Sequence, residues 1–149
     1  MPVTDGQAAA LHALLSGQLE EHSRIIGQLD KATINVGYRA LLAAGFFEAV
    51  ERRFIVDGEE ADNAAIIDFV ASIRARTDKG PDVIKPDVAE RMISHVLDRE
   101  PSISDIDGDT AVEHQVALLM ELINDAQLSE SALTEFIAKV RADVDEMIE

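Results

Sequence analysis

Residues 129–149 read SESALTEFIAKVRADVDEMIE. In this stretch Leu133, Phe136, Ile137, Val140, Val144 and Met147 recur at steps of three and four, so a helix lines them along one stripe. Ser129 or Ser131 supplies an N-cap, because a hydroxyl there accepts a backbone N–H that has no intrahelical partner. The stripe decides the fold class: it is a helical period of about 3.6, and no four-to-eight-residue apolar alternation elsewhere argues for a strand.

Working towards the N-terminus, the same reading recurs. Residues 110–126 form a helix with Val112, Val116, Leu119, Leu122 and Ile123 apolar, and Thr110 and Glu113 stand at capping-box spacing. Pro86 suits the first turn of a helix running to Leu97, with Val88, Met92, Ile93, Val96 and Leu97 on its apolar side and Pro101 ending it. A third helix covers 60–76, lined by Ile66, Ile67, Phe69, Val70 and Ile73. Acids stand in its first turn and Arg74 and Arg76 in its last, as the helix dipole favours. Before it, IVDGE (55–59) is a turn, and a helix ending at Phe54 carries Leu41, Leu42, Gly45, Phe46, Ala49 and Val50. The first helix is read as one long element, 7–30, capped by Thr4 or Asp5. Leu15, Leu19, His22, Ile26 and Leu29 form its stripe, and a break falls between Lys31 and Gly37. The first two helices are expected to pair as an antiparallel hairpin.

These elements predict an all-α bundle of about six helices in one compact domain, 1–149. A two-lobed organisation around the connector 77–86 (TDKGPDVIKP) is the alternative. The turns Asp57-Gly58 and Asp107-Gly108 each stand between helices. In that respect they resemble the acidic Asp-Gly turns of helical tellurite-resistance domains of the TerB type, and the likeness rests on those four residues.

Composition narrows the function. The chain has 149 residues, no Cys and no Trp, which removes disulfides, thiolate metal sites and Cys nucleophiles. Its formal charge is −16, unevenly placed: residues 1–80 hold twelve acids against eight bases, net −4, and residues 81–149 hold seventeen against five, net −12. Such a surface repels phosphate backbones and anionic lipid, so direct nucleic-acid or membrane binding is not expected. No apolar run reaches the ~20 residues of a membrane span, and the N-terminus lacks a basic, apolar leader, so a cytoplasmic protein is expected.

No catalytic signature is present: there is no nucleophile elbow, no phosphate-binding glycine loop and no His-x-x-x-His pair. Ser94-His95 are sequence neighbours and point apart on a helix. Two constellations remain. Asp105, Asp107, Asp109 and Glu113 place oxygen ligands at alternate positions, as a Ca²⁺-like cation requires. Thr110 replaces the glycine, and Val116 the bidentate Glu, of a true EF-hand loop. Tyr38, Phe46, Phe47, Arg52 and Arg53 gather the aromatic and Arg content of interface hot spots. His22 is read as a hydrogen-bonded, half-buried core histidine, and His114 as solvated. The expected function is a protein-interaction or regulatory module docking a basic protein partner, with a homodimer also consistent with the long first helix. A divalent-cation binder comes second, and an enzyme with a site assembled across the bundle comes last.

Overall fold

In the computed structural model, which describes residues 3–29, 34–76, 78, 80–99 and 102–148, nearly all regular structure is helical. The chain is all-α, with a single pair of two-residue strands among the described residues. It divides into two compact units, residues 1–45 with 123–149, and residues 46–122.

In the first unit, Thr4 caps α1 (Asp5–Leu15). Its hydroxyl accepts the Gln7 N–H at 3.1 Å, and the Gln7 side-chain oxygen accepts the Thr4 N–H at 3.0 Å. This reciprocal box satisfies two backbone donors, so Gln7 is polar yet fully buried. Ala10, Leu11, Ala13 and Leu14 form the buried face. The long first helix expected over 7–30 is instead two helices. After α1 the Gln18 N–H bonds the Ala13 carbonyl at 2.9 Å and the Gly17 N–H the Leu14 carbonyl at 3.3 Å. Gly17, at φ 78°, takes the left-handed conformation that this helix ending needs and that a Cβ disfavours. The chain therefore restarts as α2 (Leu19–Gln28), which packs against α1 and buries none of its residues. Leu19, expected on a continuous stripe, is 54% exposed, because the stop at Gly17 re-aims everything after it.

A π-helical turn, Ile34–Tyr38, leads into α3 (Arg39–Phe54) and places Tyr38 in the core. The break expected between Lys31 and Gly37 lies partly at Lys31–Thr33, outside the described residues. α8 (Glu130–Ile148) closes the unit against α1. Ser129 is its cap, with Oγ accepting the Ala132 N–H at 3.1 Å. Leu133, Phe136, Ile137, Val140 and Val144 are buried as the stripe predicts, whereas Met147, beside the helix end, is 78% exposed. Val3 and Asp5 are strapped to α8: Val3 N–H donates to Asp145 at 2.7 Å, Arg141 donates to the Val3 carbonyl at 2.8 Å, and Arg141 pairs with Asp5 at 2.9 Å.

The chain passes into the second unit within α3. Ile55 and Val56, read as a helix end, form β1 (Ile55–Val56), paired antiparallel to β2 (Glu59–Glu60) in the register Ile55 with Glu60. Asp57 at φ 54° and Gly58 at φ 79° are both left-handed, the geometry of a two-residue hairpin turn. Glu59 and Glu60 thus belong to the hairpin. Asp62 caps α4 (Asn63–Arg74), its Oδ1 accepting the Ala65 N–H at 3.0 Å. α4 packs against α6 (Pro86–Val96). Phe54 and Phe69 meet edge to face, ring centroids 5.7 Å apart, and Ile66, Val70 and Ile73 of α4 and Met92 and Ile93 of α6 are buried. Ile67, expected on the stripe of α4, is half exposed.

The stretch 77–86 lies inside this unit. Its Gly80–Val83 is a helical turn, α5, beside α4. Arg74 Nε donates to the Ile84 carbonyl at 2.8 Å, and the Lys85 N–H bonds His114 Nε2 at 3.0 Å. α6 ends as α1 does. Asp98, at φ 60°, stands in the glycine position, and the Arg99 N–H bonds the Ser94 carbonyl at 2.9 Å. The stop expected at Pro101 lies outside the described residues. α7 (Gly108–Ala126) completes the unit and carries the chain back to the first.

Candidate functional site

The acidic loop is built by the start of α7. The capping box expected between Thr110 and Glu113 is replaced by a cap three residues earlier. Asp107 Oδ2 accepts the Thr110 N–H at 3.2 Å and lies 3.3 Å from the Thr110 hydroxyl, and its carbonyl accepts the Ala111 N–H at 2.8 Å. A carboxylate satisfies a free N–H there and complements the positive end of the helix, so Asp107 outcompetes Thr110. Asp109 and Glu113 follow at i and i+4, exposed on α7.

Asp105 is engaged elsewhere. Arg91 on α6 grips it with two nitrogens, at 3.0 and 2.7 Å, and also donates to the Ser102 carbonyl. That guanidinium, with a backbone hydrogen bond, holds the Asp105 carboxyl below its ordinary value. Among the described residues no three of His, Asp and Glu stand together in an arrangement that could hold a metal ion. Of the four predicted ligands, Asp105 is thus held by Arg91 and Asp107 by the cap of its own helix.

The aromatic and Arg cluster separates. Tyr38 and Phe46 are core residues, and Phe47, 48% exposed, is the one that faces solvent. Arg52 pairs with Glu48 at 2.7 Å, and Arg53 lies 5.1 Å from the Phe69 ring centroid and 6.0 Å from that of Phe54. The Arg53 guanidinium thus covers the aromatic core of its own unit.

His22 is half buried and Nε2 lies 2.7 Å from the Tyr38 hydroxyl. Burial lowers the His22 pKa and raises that of Tyr38. A histidine whose folded pKa is depressed contributes stability above about pH 6.5, its ordinary value, and loses it as pH falls below that. The melting temperature of His22→Gln is therefore expected to change less between pH 7.5 and 5.5 than that of the wild type, as read by circular dichroism. An equal drop in both proteins would assign the acid sensitivity to other groups.

His114 corrects the reading of a solvated side chain. It is 3% exposed. Nδ1 lies 2.8 Å from the Thr110 carbonyl and Nε2 takes the Lys85 N–H. The neutral ring therefore uses one nitrogen as donor and the other as acceptor. A signal was present: Leu118 and Leu122, four and eight residues on, share its helix face and are buried.

The turns Asp57-Gly58 and Asp107-Gly108, alike in sequence, differ in form, one a hairpin and the other a helix cap. No helix among the described residues is long and apolar enough to cross a membrane. Comparison with protein-family models, with curated proteins and with solved structures found no match to this chain.

Proposed function

We propose that the protein is an acidic helical docking module that binds a basic surface on a protein partner, with the start of α7 as the centre of contact. One observation carries this: the arginines of the second unit are bound within their own unit. Arg52 pairs with Glu48, Arg76 with Glu121, Arg91 with Asp105 and Arg99 with Glu60, Asn63 and the Ala61 carbonyl. Arg74 binds the Ile84 carbonyl and Arg53 the aromatic rings. Residues 46–122 hold eighteen acids against eight bases, net −10. With its arginines engaged in this way, the unit presents the excess carboxylates of Asp107, Asp109 and Glu113 to solvent. Such a field attracts a basic partner and speeds encounter, and salt weakens it, since the Debye length is about 10 Å at 0.1 M.

The test is capture from host lysate at 50 mM and 500 mM NaCl, with wild type and with Asp107→Asn/Asp109→Asn/Glu113→Gln. Asn caps helices as well as Asp, so the variant keeps α7 intact. The same basic protein should be retained at low salt by the wild type, released at high salt, and held at least about tenfold less by the variant, as expected for losing several interfacial charges. Retention indifferent to both salt and variant would overturn the reading.

A further inference from the structure

We propose that Asp57-Gly58 is a site of spontaneous backbone modification, at which Asp57 converts to isoaspartate through a cyclic imide. The reaction is intramolecular and needs only water. The Gly58 amide nitrogen attacks the protonated Asp57 carboxyl at Cγ. A nitrogen–carbon bond forms, and water leaves, made of the carboxyl OH and the amide hydrogen. Water then opens the ring. Opening at Cγ restores aspartate, whereas opening at the Asp57 main-chain carbonyl leaves the chain running through Cγ. Glycine in the following position has no side chain to obstruct the attack, so Asp-Gly is the dipeptide that favours it. The chain has three: Asp5-Gly6, Asp57-Gly58 and Asp107-Gly108.

Identical in sequence, the three differ in what holds them. Asp5 is the first residue of α1, its carboxylate pairs with Arg141 at 2.9 Å, and Gly6 lies inside the same helix. A Cβ on Gly6 would come within 2.8 Å of the Leu29 side chain, which leaves the main chain little room to turn. Asp107 caps α7 with Oδ2 accepting the Thr110 N–H at 3.2 Å, and Gly108 opens that helix. At both sites ring closure requires the helix start to unwind and the carboxylate to release its partner. Asp57-Gly58 has neither restraint. Both residues are exposed, and a Cβ on Gly58 would meet open space. Among the described residues nothing pairs with the Asp57 carboxylate or accepts the Gly58 N–H. Asp57 stands at φ 54°, which a residue with a Cβ adopts only at a cost, and the hairpin that holds it there has two residue pairs. The turn therefore opens more readily than a helix start does. Isoaspartate adds a main-chain carbon to this two-residue turn, so Val56 no longer comes opposite Glu59.

The experiment incubates the full-length protein at pH 6 and 37 °C, folded and in guanidinium chloride, until the denatured chain has converted measurably. Isoaspartate is then located by tryptic digestion and electron-transfer fragmentation. The three dipeptides fall in separate tryptic peptides, 1–24, 54–74 and 100–139. In the folded protein, conversion at Asp57 should exceed that at Asp5 and at Asp107 by at least about tenfold, because those two react only from a locally opened helix. In denaturant, where all three are unrestrained, they should convert alike. Asp57→Asn reaches the same imide with loss of ammonia in place of water, and should gain isoaspartate at this position faster than the wild type. Folded protein that converts equally at the three sites, or that keeps Asp57 intact while the denatured chain reacts, overturns the proposal. An Asp57→Asn protein that stays intact overturns it as well, since the turn is then closed to the attack.

Discussion

His114→Ala is expected to destabilise the protein by about 2–3 kcal/mol, one of the two largest losses of any single change named here. The part-buried Lys85 N–H loses its acceptor in this variant. An unsatisfied donor of that kind costs about 1–2 kcal/mol. The remainder is the space left by a ring that is almost fully enclosed. The effect is directional. His114→Gln places an amide oxygen near the position of Nε2, so it should recover about half of the lost stability, because the hydrogen bond to Lys85 is the larger share. Urea unfolding monitored by far-UV circular dichroism reads both variants. If Ala and Gln lose equally, the role of His114 is space-filling and the link between α7 and the start of α6 carries no weight. A tighter consequence concerns hydrogen exchange: amides of residues 84–90 should lose protection in His114→Ala before those of α4 do, since that bond fixes the segment.

Gly80→Ala is the second. A Cβ at Gly80 would run into the Arg74 carbonyl, which is main chain and cannot rotate away. Either α5 or the end of α4 must move, and Arg74 holds Ile84 as well, so the displacement reaches the segment that His114 fixes. Overpacking of this kind costs about 1–3 kcal/mol, and the upper end applies where backbone meets backbone. Gly27→Ala is the matched control. Gly27 sits within α2, where a Cβ meets nothing within 4 Å. The substitution should stabilise by about 0.5–1 kcal/mol, because glycine is entropically costly inside a helix. Opposite signs of shift in the urea midpoint are the expected result. A neutral Gly80→Ala would mean that α4 and α5 are further apart in solution than the structure places them.

Much of the architecture was legible. Helix α8 follows from its stripe, and α6 from Pro86 and Met92-Ile93. The carboxyl end of α4 follows from Ile73 and Arg74, because apolar period and helix-end chemistry are local properties that tertiary packing reinforced. Misreadings came where two local signals competed. Leu15 and Leu19 continue a helical period, yet Gly17 between them accepts the left-handed conformation, and the stop outweighed the period. Asp107 and Thr110 both offered a cap, and the carboxylate took it. Of the candidate ligands, the spacing of Asp105, Asp107, Asp109 and Glu113 was readable. That Arg91, fourteen residues earlier, would occupy Asp105 was not.

By itself, then, the chain's sequence determined an all-helical fold, the identity of most buried residues, and a strong excess of acids concentrated after residue 80. Those follow from apolar period, capping residues and charge, each of which acts over a turn or two of helix. Only the tertiary structure decided which charges remain outward. Arg76 meets Glu121 across 45 residues, Arg99 reaches Asn63 across 36, and His114 caps Lys85 across 29. It also decided that Leu15 and Leu133 share one cleft. Pairings between residues this far apart depend on how helices pack, and packing is set by the summed burial of many side chains. No local spacing encodes it.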